Sequence, residues 1–215
     1  MSEAPPLSRF DYLRDGPEIY RRSFATIRAE ANLARFNRDE ERVVVRMIHA
    51  CGMIEIAGDL VFSNNAVGEA RSALLRGAPI LCDSKMLSRG IIMARLPRGN
   101  EVICTLDDSS VASLAQKLGT TRSAAALELW RDRLDGAVIA IGNAPTALFH
   151  LLEILEETAA RPACVIGMPV GFVGAAESKE SLMTDARVPF IAIKGRKGGS
   201  AMAAAALNAI ASESE

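Results

Sequence analysis

His49 is the residue of this chain best suited to proton transfer, because imidazole is the side chain that gives and takes a proton near neutral pH. On a helix, His49 would share one face with Arg42 and Arg46. Nearby positive charge disfavours the imidazolium form, and the two guanidinium groups would attract an anion. The spacing therefore predicts a neutral imidazole beside an anionic ligand.

A single histidine at the edge of a helix is nevertheless more often a packing or surface residue than a catalyst, so the residues alone leave both interpretations open. The second histidine, His150, lies in the apolar run 148–152, where a packing role is favoured. Asp107 and Asp108 directly precede a predicted helix, so helix capping is favoured for them over acid–base chemistry.

The helix that carries His49 is predicted to extend over residues 37–56. Asn37 is a suitable N-cap, and Glu40 completes a capping box. Apolar residues recur along this helix at core-facing spacing: Val43, Val44, Met47, Ile48 and Cys51. His49 falls outside that apolar stripe, which leaves it available to a ligand.

Arg122 is a further candidate, because it follows Thr120 and Thr121 at the start of another predicted helix. Either threonine is a suitable cap for that helix. A cation in the first turn opposes the helix dipole, so the position favours an anionic ligand or a neighbouring carboxylate as the partner of Arg122.

The composition is that of an ordinary globular protein, with 215 residues of which 49% are hydrophobic and 24% charged. The formal net charge of -1 argues against nucleic-acid binding through bulk electrostatics. No apolar stretch is long enough to span a bilayer, and residues 1–6 lack the features of a signal peptide. We therefore expect a cytoplasmic protein with no nucleic-acid and no membrane partner.

The four cysteines give no sign of a metal site, since none belongs to a CxxC pair. Cys82, Cys104 and Cys164 lie inside apolar runs, and we interpret all four, with Cys51, as buried free thiols. The chain has only two histidines, which further disfavours zinc. No metal is therefore predicted.

Short apolar segments alternate with helical segments from residue 79 onward. Continuous apolar strands between helices are typical of a mainly parallel sheet with helices on both faces. The predicted strands cover residues 79–82, 101–105, 136–141, 163–167 and 190–194. The main predicted helices cover residues 17–30, 37–56, 65–76, 111–118, 122–134, 146–157 and 201–210. The expected fold class is α/β with an N-terminal helical portion, and residues 1–215 are expected to form a single domain.

Glycine-rich turns follow three of these strands, at residues 142–146, 167–171 and 195–200. Ligands of open parallel sheets bind outside the carboxyl ends of the strands, and helix N-termini offer free N–H groups to anions. The turns therefore suit a large ligand with several carboxylates or phosphates. None of them matches GxGxxG or Walker A, so a nucleotide-binding domain is retained only as an alternative.

With these features on one chain, the sequence closely resembles the precorrin-8X methylmutase family of cobalamin biosynthesis. The blocks that carry the resemblance run in order from about residue 12 to residue 211, so they cover nearly the whole chain and are together highly specific. They are IYRRSF (19–24), RMIHACG (46–52), APILCD (78–83), GNEVIC (99–104), TRSAA (121–125), IGNAPTAL (141–148), GMPVGFVGAAES (167–178) and GGSA (198–201).

The resemblance implies an isomerase that acts on a tetrapyrrole, precorrin-8X. In this family a methyl group moves from C-11 to C-12 of the macrocycle, a formal 1,5-sigmatropic shift that yields hydrogenobyrinate. The resemblance also implies that no cofactor is used and that the protein is a homodimer, with the substrate pockets near the subunit contact.

The family's functional positions transfer to four residues. His49 matches the proton donor and acceptor, Ser23 and Arg46 match positions that contact the substrate, and Arg122 matches a further basic residue of the pocket. Two related interpretations remain open at this point. One is a cobalt-precorrin-8 methylmutase of the oxygen-independent route, and the other is a tetrapyrrole carrier without catalytic activity.

Overall fold

One six-stranded sheet forms the centre of the computed structural model, which describes residues 10–213. Its strands are β1 (Leu60–Phe62), β2 (Ile80–Cys82), β3 (Val102–Ile103), β4 (Val138–Ile141), β5 (Cys164–Gly167) and β6 (Phe190–Ile193). The strand order is β1-β6-β5-β4-β2-β3. Every neighbouring pair is parallel except β1 and β6.

Helices occupy most of the chain between the strands of residues 10–213. They are α1 (Gly16–Glu30), α2 (Arg38–Cys51), α3 (Ile56–Asp59), α4 (Ala66–Leu75), α5 (Lys85–Gly90), α6 (Val111–Leu118), α7 (Arg122–Ala125), α8 (Pro145–Glu157), α9 (Ala175–Asp185) and α10 (Ser200–Ala211). Two 3₁₀ segments lie at Met93–Arg95 and Ala126–Arg133. None of the helices within 10–213 is both long enough and apolar enough to cross a membrane.

Helices cover both faces of the sheet, because successive side chains of its buried strands point to opposite sides. In β4, Val138 and Ala140 belong to the core that α2, α4 and α10 complete. Ile139 and Ile141 belong to a second core, formed with α8 and the 3₁₀ segment Ala126–Arg133. The predicted fold class, a mainly parallel α/β sheet covered on both faces, is confirmed.

The N-terminal helical portion also contributes β1, which the sequence did not reveal. β1 runs antiparallel to β6, with Leu60 opposite Ile193 and Phe62 opposite Ile191. A strand of three residues is too short to show an alternating pattern, and it follows α3 directly. The N-terminal helices are therefore joined to the sheet through this edge strand.

The helix α2 begins as predicted but ends earlier than residue 56. The capping box is present, since Asn37 Oδ1 accepts from the N–H of Glu40 and Glu40 Oε2 accepts from the N–H of Asn37, each at 3.0 Å. Gly52 adopts the left-handed conformation at φ 70 and donates its N–H to Ile48 O at 2.7 Å. This C-cap stops the helix immediately after the turn that carries His49.

The segment 122–134, predicted as one helix, is divided in the structure. Thr121 caps α7, and the chain continues as a 3₁₀ segment from Ala126. At the junction, Thr105 donates its hydroxyl proton to Ala126 O at 2.7 Å, a contact from a distant part of the chain. Such tertiary contacts override the local helical pattern.

Candidate active site

His49 lies in the last turn of α2 and forms a hydrogen bond with Ser23 of α1. The Ser23 Oγ and His49 Nδ1 atoms are 2.8 Å apart, and both residues are half-buried. Phe24 and Ile27 anchor α1 by inserting their side chains into the core that α2 shares. The packing of these two helices therefore brings together two residues that were selected from distant parts of the sequence.

Two aromatic rings of α1 contact the imidazole of His49. The centroid of the Tyr20 ring lies 5.1 Å from it with the planes tilted by 36°, and the Phe24 ring meets it edge-on at 5.2 Å. Tyr20, Ser23 and Phe24 follow the spacing that places side chains on one helix face. The imidazole is thus held from one side through its Nδ1 atom and its ring, which leaves Nε2 as the nitrogen for a ligand.

Arg46 places a positively charged guanidinium group close to His49. It is only 8% exposed, and its Cζ atom lies 5.4 Å from the centroid of the Phe24 ring. Burial lowers the pKa of His49, and the positive charge of Arg46 lowers it further. Arg42, which was expected to flank His49 as well, instead contacts Asp39 and the Ala209 carbonyl oxygen, each at 3.3 Å.

Beside this cluster lies a cavity of about 610 Å³, which we call the arginine cavity. Its lining includes the aromatic rings of Tyr20 and Phe24 and the cationic side chains of Arg21, Arg46 and Arg95. Aromatic faces and guanidinium groups together suit a planar ligand that carries carboxylates.

A smaller cleft of about 240 Å³ lies between α2 and α10, and His49 lines it. Arg46 lines both this cleft and the arginine cavity, so the two adjoin at its side chain. Across the cleft, α10 presents small side chains, including Ala201 and Ala204. A ligand larger than either space could therefore extend from the arginine cavity towards His49.

Arg122 is placed apart from this cluster. It is exposed at the start of α7, and its Nη2 donates to Leu106 O at 3.2 Å. Thr121 caps the helix by accepting from the N–H of Ala124 at 3.2 Å, as one of the two predicted caps. A single copy of the described chain therefore unites Ser23, Arg46 and His49, while Arg122 lines neither the arginine cavity nor the His49 cleft.

The glycine-rich turn after β4 does not offer its N–H groups to a ligand, and that expectation was wrong. Asp83 is 2% exposed and accepts from the N–H groups of Gly142, Asn143 and Ala144 at 2.9–3.0 Å. Burial raises the pKa of Asp83, while the three N–H donors oppose that effect. The N-terminus of α8 is thus occupied by a carboxylate of the chain itself.

The other two glycine-rich turns are bonded to each other. Gly199 donates its N–H to Met168 O at 2.8 Å, and Gly171 donates to Arg196 O at 3.3 Å. Lys179, which is fully buried, donates from Nζ to Lys197 O at 2.5 Å, and burial lowers its pKa to about 8. Sequence reasoning missed both Asp83 and Lys179, because the residues that neighbour a polar side chain in the sequence do not reveal its tertiary partner.

The other acidic, histidine and cysteine candidates of the sequence make contacts within the fold. Asp108 accepts from Ser110 directly before α6, and Asp107 pairs with Lys85. His150 has a mostly buried side chain whose ring nitrogens are hydrogen-bonded to the carboxylates of Glu128 and Glu153. All four cysteines are free thiols, with Cys82 and Cys164 buried and the other two half-buried. Within residues 10–213, no three His, Cys, Asp or Glu side chains are grouped so that they could hold a metal ion.

Comparison with known proteins identifies the family. Residues 18–213 match the family model described as precorrin-8X methylmutase. A precorrin-8X methylmutase from Pseudomonas aeruginosa is 59% identical over 206 residues, which cover 95% of this chain and 99% of the relative. A cobalt-precorrin-8 methylmutase from Methanocaldococcus jannaschii is 36% identical over 203 residues, which cover 92% of this chain and 93% of the relative.

A solved structure gives the same result. The crystal structure of a precorrin-8X methylmutase from Thermus thermophilus aligns with a TM-score of 0.83 at 42% identity, covering 91% of this chain and 95% of that one. Sequence and fold therefore agree over nearly the whole chain. The chain belongs to the precorrin-8X methylmutase family, whose members are isomerases.

Proposed function

We propose that this protein moves a methyl group from C-11 to C-12 of precorrin-8X, a formal 1,5-sigmatropic shift that gives hydrogenobyrinate in cobalamin biosynthesis. The observation that carries the proposal is the Ser23–His49 pair beside Arg46, at the edge of the arginine cavity. A sigmatropic shift requires no nucleophile. It requires the correct tautomer of the conjugated ring, held in a reactive shape away from water.

His49 is the proposed proton donor and acceptor. In the proposed tautomer the neutral imidazole carries its proton on Nε2, and Nδ1 accepts from the hydroxyl of Ser23 across the 2.8 Å that separates the two atoms. The lowered pKa keeps the ring neutral at pH 7. Nε2–H of the neutral ring then donates a hydrogen bond to a pyrrole nitrogen of the macrocycle and favours the reactive tautomer. Full proton transfer to that nitrogen starts from the imidazolium form, which becomes the neutral ring and takes the proton back after the shift. General acid catalysis of this kind contributes about 10²- to 10⁴-fold to a rate.

The proposed binding residues are Ser23, Arg46 and Arg122. Arg46 pairs with a carboxylate arm of the macrocycle where the cavity meets the His49 cleft, and Ser23 contacts the ring beside His49. The supporting observations are the burial of Arg46 and the aromatic lining next to it. A guanidinium that is shielded from water binds a carboxylate more strongly than an exposed one does.

The proposed substrate is the metal-free macrocycle, in the oxygen-dependent route. Support comes from the higher identity to the relative named for precorrin-8X than to the relative named for cobalt-precorrin-8. The test is to incubate the purified protein with each macrocycle and to follow the absorption spectrum. We expect faster conversion of precorrin-8X. Binding without any conversion would identify a carrier instead of an enzyme, and preferential conversion of the cobalt form would assign the other route.

We further propose a cytoplasmic homodimer in which each chain acts as one domain. Four free thiols are typical of a reducing compartment. The position of Arg122, apart from the His49 cluster, is explained if it reaches a macrocycle that the other copy of the chain binds. Sedimentation velocity tests the assembly, and a species with the mass of a single chain would contradict it.

A further inference from the structure

The arginine cavity has a second wall, formed by the segment that follows α5. Ile92 and Arg95 of this segment line the cavity together with Tyr20 and Phe24 of α1, which lie much earlier in the chain. Ile92 is 44% exposed, so the wall presents apolar surface as well as a guanidinium group. This combination suits the edge of a flat, apolar ring that carries an anionic arm.

A single buried side chain, Asn208 of α10, fixes the position of this wall. Its Oδ1 accepts from the N–H of Ile92 at 2.8 Å, and its Nδ2 donates to Gly90 O at 2.9 Å. Asn208 is 5% exposed and also lines the cleft that contains His49. The carboxamide therefore links the wall that carries Arg95 to the helix that packs beside His49.

We infer that Arg95 binds a carboxylate arm of the substrate and that Asn208 is the positioning residue that holds Arg95 in place. The inference rests on the proposed function, because it takes the macrocycle to be the ligand of the cavity. Arg46 and Arg95 belong to separate elements, so two arms bound at two points fix the rotation of the ring relative to His49. Guanidinium–carboxylate pairing is directional, so it sets orientation as well as affinity.

The first test compares Arg95→Ala with Arg89→Ala. Arg89 is an exposed cation at the end of α5 that lines a different groove, so it controls for the loss of positive charge near the site. We expect Arg95→Ala to weaken binding of the product hydrogenobyrinate, measured by absorbance titration, by about 10- to 100-fold. Arg89→Ala should bind within twofold of the parent protein.

The second measurement identifies the arm. Monomethyl esters of the macrocycle, each blocking a different carboxylate, are titrated against the parent protein and Arg95→Ala. One ester should bind about 10- to 100-fold more weakly to the parent protein, while Arg95→Ala should not distinguish that ester from the free acid. If both proteins rank all the esters alike, Arg95 does not bind an arm and the inference fails.

Asn208→Asp and Asn208→Leu test the positioning role. Both variants remove the donor to Gly90 O, and we expect them to lower the discrimination against the same ester. Adding either change to Arg95→Ala should not weaken binding of hydrogenobyrinate any further, since Asn208 acts through Arg95. An additive loss of affinity in the double variants, or full discrimination against the ester in the single Asn208 variants, would make Asn208 merely structural and overturn its assignment.

The proposed function and this inference fail in different ways. If the parent protein neither binds nor converts the macrocycle, the proposed function is wrong. If the parent protein converts it and Arg95→Ala binds and converts it equally well, only the role of Arg95 is wrong.

Discussion

The two histidines of the chain lie in helices with opposite electrostatic surroundings. His150, in α8, places Nε2 at 2.6 Å from Glu128 and Nδ1 at 3.0 Å from Glu153. His49, in α2, places Nδ1 at 2.8 Å from a neutral hydroxyl and has Arg46 as its charged neighbour. Both are only partly exposed, so burial alone does not distinguish them.

The difference shows that the partners of an imidazole decide whether it is available for chemistry. Carboxylates at both nitrogens commit the whole ring of His150 to the contact between the 3₁₀ segment and α8. A hydroxyl at Nδ1 orients the ring of His49, while Nε2 has no hydrogen-bond partner among residues 10–213. The guanidinium beside it also keeps the ring neutral, which a carboxylate would not do.

The largest effect is expected from removing the two imidazoles in turn. His49→Ala should lower kcat for methyl migration by about 10²- to 10⁴-fold, because the proton donor is lost. His150→Ala should retain kcat within about twofold, since its partners are all structural. Initial rates from the absorption change measure both, with circular dichroism confirming the fold. Near-normal turnover by His49→Ala would remove His49 from the mechanism.

A smaller effect is expected at the partner of His49. Ser23→Ala removes the hydrogen bond to Nδ1 and frees the imidazole to rotate or change tautomer, which should lower kcat by roughly 2- to 10-fold. Ser23→Thr keeps a hydroxyl in place and should restore most of the rate.

If Ser23→Ala instead raises KM with kcat unchanged, the hydroxyl serves only to bind substrate. If Ser23→Thr behaves like Ser23→Ala, the methyl group has disturbed the packing, and the same comparison must be made by NMR detection of the His49 tautomer in the free protein.

The smallest effect concerns the charge beside His49. Arg46→Gln should raise the pKa of His49 towards its ordinary value of 6.5, because a positive neighbour is removed while burial persists. With only two histidines in the chain, NMR titration resolves the ring protons of His49 directly, and an unchanged pKa of His49 would refute electrostatic coupling to Arg46.

The same lowered pKa has a stability consequence of known sign. The folded chain binds fewer protons to His49 than the unfolded chain just below pH 6.5, so the free energy of unfolding falls as pH drops through that region. In Arg46→Gln the free energy of unfolding should fall less over the same pH range. Chemical denaturation at a series of pH values measures this difference.

Local signals made much of the fold predictable. The capping box at Asn37 and the apolar strand at β4 each act through residues that are neighbours in sequence, so pattern and structure agree there. β1 was not predicted because a strand of three residues is too short to show a periodic pattern. α2 was predicted too long because its C-cap, Gly52, lies inside the range 37–56 that was assigned to the helix. Helix ends depend on one residue's conformation, which periodicity does not capture.

The residue types of the candidate site could be predicted from the sequence, but the contacts of each side chain could not. The spacing placed Arg46 beside His49 correctly, yet Arg42 uses its side chain on Asp39 and α10 instead. Ser23 was reached only through the family resemblance, because nothing local links residues on two helices. Arg95 and Asn208 had no sequence signal, since their relation to His49 exists only once α10 packs against α2 and α5.

Asp83 at the head of α8 has a consequence for which ligands this fold accepts. Three backbone N–H groups there would form an anion-binding site in a nucleotide-binding protein. In this chain the carboxylate of Asp83, at the end of β2, already occupies that site. Because it belongs to the same chain, its effective concentration at the site is far higher than that of a free anion. A free phosphate therefore cannot bind these N–H groups unless the carboxylate leaves. To engineer a nucleotide site at this edge of the sheet, Asp83 would have to be replaced first.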